Sequence, residues 1–204
     1  MITELDLAAW HEAGHAVAAH QLGRQLGPLA VLDSGRGCAL YCRPQVAVAV
    51  PDVGLPLAAW PVAWQRWATA ETLVLLAGDI SEGLFGDRPA GRVVDAVATV
   101  AQEIVTGQAS SSTPPTATAA EREQVAGVLA DDPARTDADA IAHTAWIAHG
   151  GDPLRAGRWI AWLAEEARAL LLVRESRVRR LAALLEAERT VGAEAAARVL
   201  AEPC

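Results

Sequence analysis

The sequence predicts a mainly α-helical fold with a small β element, on three observations. Most of the chain carries apolar residues at helical spacing, in segments long enough for several turns. Residues 27–50 break instead into short apolar pieces around the turn-rich DSGRG, which reads as two or three short strands. The composition of 204 residues, 52% hydrophobic and 21% charged, is that of a globular domain able to bury a core, and it excludes a disordered or fibrous chain.

Each element follows from its own signals. Thr3 or Asp6 caps a first helix that runs to about Leu22, where Gly23 stops it. PLAVLD and CALYCRPQVAVAV supply the strands, and Pro51 to Pro61 is an apolar loop punctuated by proline. A helix from about Trp64 to Phe85 is broken near Gly78 and closed by Gly86-Asp87. Residues 93–105 form a further helix, and GQASSSTPPTATA (107–119) is a flexible surface loop. Helices follow at about 119–130, 137–149 and 153–173, the last continuing or restarting to Glu188, with a short one at 192–201.

Charge and cysteine content narrow the function classes. A formal net charge of -8 repels phosphate backbones, so no nucleic-acid partner is expected. Cys38, Cys42 and Cys204 are too few for a disulfide framework and favour a reducing compartment. The N-terminal segment is acidic where a secretion signal carries positive charge. The longest strongly apolar region, Val53 to Gln65, contains Pro56 and Pro61 and is shorter than the roughly 20 residues of a membrane span. The expectation is a soluble, cytoplasmic protein with no membrane span.

Within the first helix lies His11-Glu12-Ala13-Gly14-His15, an HExxH pattern. Residues i and i+4 differ by about 40° around a helix axis, so both imidazoles project from one face and can grip one ion. Glu12, about 100° from His11, can reach a water at that ion without ligating it. Zn²⁺ with three protein ligands and an open fourth position generates hydroxide near neutral pH, with Glu12 as its general base. Ala13 and Gly14 are small enough for another segment to approach closely. The competing reading is two satisfied histidines on an amphipathic helix.

The remaining chemistry-bearing residues have plainer readings. His20 lies close to the opposite face from His11, and His143 and His149 do not share a helical face. Cys38 and Cys42 share one face of a strand, as small buried residues rather than a metal clip that lacks further soft ligands. Trp60, Trp64 and Trp67, with Trp146, Trp159 and Trp162, have helical spacing that suits core packing, and Trp60 is the one considered for a substrate or partner patch. RESRVRR (174–180) reads as a solvated helix face.

At HEAGHAVAAHQLG the sequence resembles the peptidase domain of the FtsH-type ATP-dependent zinc metalloproteases, whose catalytic helix opens with HEAGHA. LLAGDISEGLFG (75–86) is similar to that family's GGRxAEExxFG helix, with Glu82 at one of its glutamates and one residue fewer here. ARALLLVRESRVRRLAALLEAERTVGAEAAARVL (167–200) resembles the family's ending, a helix followed by LAxxLLExxTLxGxE. The resemblance covers nearly the whole chain, implying a single FtsH-like peptidase domain over residues 1–204. HEAGH is its specific part, and the other two segments add weight by their order.

The resemblance implies a zinc endopeptidase, with His11 and His15 as ligands and Glu12 as catalytic base. The family's third ligand is an Asp at the start of a later helix, in a pattern like (S/N)-D-x-x-x-A. Asp137 in TDADAIA, after a small polar residue and at a helix start, is favoured, with Asp139 and Asp95 as alternatives; residues 93–130 are then an insertion. The family's ATPase module and membrane anchor have no counterpart in these residues, and a chain without Lys contains no GxxxxGK[ST] loop for ATP. The expected substrate is therefore a peptide or unfolded protein, delivered if need be by a separate unfoldase or partner protein. The alternative is a catalytically silent FtsH-peptidase-like module that binds peptides or proteins.

Overall fold

The structure, a computed structural model, describes residues 4–32, 37–43, 45–47, 55–86 and 137–202. In chain order these form α1 (Glu4–Gln21), β1 (Leu26–Val31), β2 (Gly37–Tyr41), a 3-10 turn (Leu57–Ala59), α2 (Val62–Phe85), α3 (Asp137–Ala148), α4 (Pro153–Val173), α5 (Glu175–Glu188), β3 (Thr190–Val191) and α6 (Ala193–Ala201). The described part is mainly helical with one three-stranded antiparallel sheet, ordered β2-β1-β3. The helices expected at 93–105 and 119–130, the loop at 107–119, the insertion at 93–130, Asp95 and Cys204 lie outside the described residues. Among the described residues no helix is long and apolar enough to cross a membrane.

Two compact units divide the chain. Met1–Pro44, Leu73–Arg92 and Ala164–Cys204 form the first, and Gln45–Thr72 and Val93–Leu163 the second, so α2 and α4 contribute residues to both.

In the first unit α1 is the central element. Ala9, Ala13, Ala16, Ala18 and Ala19 are each 0% exposed, so nearly every side of the helix meets a neighbour at close range. α5 presents Val178, Leu181, Ala182 and Leu185, an i, i+3, i+4, i+7 stripe, all fully buried. Gly23, at φ 74°, ends α1: its N–H donates to the His20 carbonyl and the Arg24 N–H to the Ala19 carbonyl, the paired bonds of a left-handed helix stop. The chain then enters β1, which pairs with β2 on one side and β3 on the other. At the end of α5, Arg189 adopts φ 63° and its carbonyl accepts from the Val31 N–H at 2.8 Å, tying that helix end to the sheet.

The second unit is built around tryptophans. Trp60, Trp64 and Trp67 are buried, and Trp64 meets Trp67 edge to face at 5.6 Å between centroids. The Trp60 indole N–H donates to the Leu55 carbonyl at 2.9 Å, which satisfies its one polar atom inside the core. Trp60 is thus a core residue rather than an exposed one. Between α3 and α4, Gly150 and Gly151 both take positive φ, and Asp152 caps α4 through the N–H groups of Leu154 and Arg155. The His149 ring lies 5.4 Å from that of Trp159, and burial, then Arg155, lower its pKa against the opposing pull of Asp152. Trp162 is exposed, unlike the other tryptophans expected in the core.

Several expectations need correction. α2 runs unbroken through Gly78, because the residue's missing side chain serves a helix contact described below. Residues 45–47 are not a strand, and the third strand is β3, formed by two residues that no local pattern marks. Cys38, in the edge strand β2, and Cys42, just beyond it, are exposed rather than buried. Nor is RESRVRR only a solvated face: Val178 is in the core, and the Arg179 guanidinium covers the rings of Trp10 and Phe85 at 5.7 and 5.3 Å.

Candidate metal centre

α1 and the C-terminal half of α2 run antiparallel, and their side chains meet in pairs. Leu7 lies beside Gly86, and Trp10 meets Phe85 at 5.8 Å between ring centroids. His11 meets Glu82, Gly14 meets Ala77 and Ser81, and His15 meets Val74 and Gly78. On α2 the members Val74, Gly78 and Glu82 are four apart and so form one ridge. The close approach depends on Gly14, where a Cβ would overlap the Ala77 carbonyl oxygen and lie 2.6 Å from the Ser81 Cβ.

Two partners on α2 orient the HEAGH imidazoles. His15 Nδ1 donates to the Val74 carbonyl oxygen at 2.8 Å, and that oxygen can only accept, so the ring proton sits on Nδ1. His11 Nδ1 donates to Glu82 Oε1 at 2.7 Å, with Asp79 Oδ1 at 3.6 Å from the same nitrogen. With both ring protons on Nδ1, the two Nε2 atoms carry lone pairs, and they approach to 2.8 Å. Two ring nitrogens this close either share a proton or converge on one cation. Two imidazole nitrogens on one helix face are donors of the kind Zn²⁺ takes, and a carboxylate on the far nitrogen, as Glu82 is for His11, is the arrangement that fixes a ligating imidazole's tautomer.

His11, Asp79 and Glu82 also offer ligand atoms within 4.8 Å of one another. That group lies on the Nδ1 side of His11, where the nitrogen carries a proton toward Glu82 and has no lone pair to give. The lone pair of His11 is on its Nε2 side.

Glu12 is 5% exposed and sits against β2, where a Cβ on Gly37 would lie 2.6 Å from both its Cγ and its Oε1. Burial, then the charge of Glu12, raises the pKa of the Cys38 thiol, and a bond from the Ala30 backbone only partly offsets this.

The sequence-predicted residues fall as follows. His11, Glu12 and His15 belong to the first unit and are brought together on α1. Asp137 belongs to the second unit, is half-buried, and is the first residue of α3, as its helix-start reading expects. Asp139 is also in α3. His20 lies off the site, with its pKa lowered by burial and then by Arg177. The sequence reading missed the roles of Gly37, Gly78 and Val74 and left Glu82 without one. The i, i+4 spacing of Val74, Gly78 and Glu82 was the available signal.

No protein-family model matches the chain, and no curated protein matches its sequence. His11, Glu12, His15 and their surroundings therefore carry the functional reading by themselves.

Proposed function

We propose that the chain is a zinc-dependent endopeptidase of the FtsH peptidase type, hydrolysing peptide bonds in unfolded or flexible polypeptides. The observation that carries this reading is the pair of Nε2 atoms of His11 and His15, 2.8 Å apart with both Nδ1 protons committed to α2. His11 and His15 hold the metal, and Asp137 is the proposed third ligand. When bound, zinc supplies Lewis acidity toward a substrate carbonyl and a water molecule. Glu82 and the Val74 carbonyl keep the two Nδ1 protons in place, so each ring offers Nε2. Glu12 takes the proton of the attacking water on its carboxylate and delivers it to the departing amine. Its burial and the Gly37 backbone confine that carboxylate against β2.

Metal content tests the reading. Purified protein is expected to hold about one zinc per chain, and His15→Ala to lose it. A chelator is expected to stop cleavage of an unfolded polypeptide, with zinc restoring it. No bound zinc and no activation by added zinc overturn the proposal and favour a silent binding module. Glu82→Gln is expected to weaken zinc binding about 10–100-fold, because a neutral amide holds the Nδ1–H less well than a carboxylate. Competition with a chromophoric chelator measures it, and unchanged affinity would show that Glu82 does not orient His11.

A further inference from the structure

Gly78 lies in the interior of α2, in its C-terminal half, where glycine is the least favourable residue after proline. Its φ is not left-handed, so the backbone itself does not call for glycine. What calls for it is space. A Cβ at this position would lie 2.5 Å from His15 Nε2, 2.6 Å from His15 Cε1 and 2.7 Å from His11 Nε2.

Neither imidazole can simply swing aside. His15 is held by its Nδ1 bond to the Val74 carbonyl, on the same helix one turn earlier, and His11 by its Nδ1 bond to Glu82, one turn later. α2 cannot retreat either without opening the contact of Gly14 with Ala77 and Ser81. The three positions 74, 78 and 82 thus work as a unit, with two anchors for the rings and a bare stretch of backbone between them.

We infer that Gly78 is a positioning residue for the metal, its missing side chain leaving the volume in which His11 Nε2 and His15 Nε2 converge. The inference rests on the reading of both histidines as ligands, and it assigns the glycine to the site rather than to a helix break. A methyl group there displaces both rings, and with them the donor pair, while the α-helical backbone of α2 gains a better helix former.

The test compares Gly78→Ala with wild type and with Gly157→Ala, a helical glycine on α4 with nothing within 4 Å of an added Cβ. Zinc affinity by chelator competition, helicity by circular dichroism and the thermal midpoint of the metal-free protein are measured for each. Gly78→Ala is expected to keep its helicity and lose about 100-fold or more in zinc affinity, at or beyond the upper end of the effect of losing an orienting partner. Gly157→Ala is expected to bind as wild type does. Wild-type affinity in Gly78→Ala overturns the inference.

If Gly78→Ala lowers the thermal midpoint, adding His15→Ala to the same chain is expected to restore it, because the ring nearest the new methyl is gone. A midpoint that stays low overturns the inference. Histidine ring resonances of the metal-free protein separate this inference from the functional reading. Gly78→Ala is expected to shift those of His11 and His15 and leave His149 unmoved, even if wild type takes up no zinc and the peptidase reading falls. Unshifted His11 and His15 signals overturn the inference.

Discussion

Replacing Glu12 by glutamine is expected to lower kcat for peptide hydrolysis about 10²–10⁴-fold while zinc stays bound, the range set by losing a positioned general base. Glutamine has the same length and branching as glutamate, so it fits the same buried place against Gly37. What it lacks is a carboxylate able to take a proton from water. His11 and His15 keep their Nδ1 partners on α2, which the substitution does not touch, so metal content is expected to be unchanged. The measurement is cleavage of a fluorogenic unfolded polypeptide, with zinc content determined on the same preparation. Undiminished cleavage would remove Glu12 from the mechanism, and loss of zinc would make it a structural support of the site instead.

Gly14→Ala is expected to cost about 1–3 kcal/mol or more of folding stability, the range for forcing extra volume into a packed interior. In a chain of this size each kcal/mol lowers the thermal midpoint by about 2–4 °C. The added Cβ runs into the Ala77 carbonyl oxygen and the Ser81 Cβ, and the carbonyl is backbone that α2 cannot rotate away. The two helices must separate, and the separation carries Val74 and Glu82 away from the histidines they hold. Zinc affinity is therefore expected to fall together with stability, whereas Gly78→Ala lowers affinity with the helicity kept. Urea unfolding of metal-free protein with parallel zinc titration checks both parts. Stability equal to wild type would mean that α1 and α2 are not held at this distance.

The histidine pair was legible because it depends only on helix geometry. HEAGH lies well inside an uninterrupted apolar segment, and any helix there places residues 11 and 15 on one face. The small residues Ala13 and Gly14 also announced a close neighbour, and α2 is that neighbour along the Gly14 side. Gly78 was misread because a helical glycine looks alike in sequence whether it breaks the helix or admits a contact. β3 was not legible, since Thr190 and Val191 are a strand only by pairing with Ala30 and Leu29. Cys38 and Cys42 were read as buried because alternation assigns them one face, but alternation does not say whether anything covers that face, and both are exposed. Trp60 followed its apolar, proline-rich surroundings into the core, where the Leu55 carbonyl takes its N–H.

By itself the sequence determined the mainly helical class, the presence of a small sheet and the display of His11, Glu12 and His15 on one helix. These follow from periodicities that repeat within a few residues, so local pattern is enough to specify them. Only the tertiary structure decided which nitrogen each imidazole offers. That choice is made by Val74, 59 residues from His15, and by Glu82, 71 residues from His11. A ring's tautomer follows the hydrogen bond at its other nitrogen, and a partner so far along the chain is brought there by packing alone.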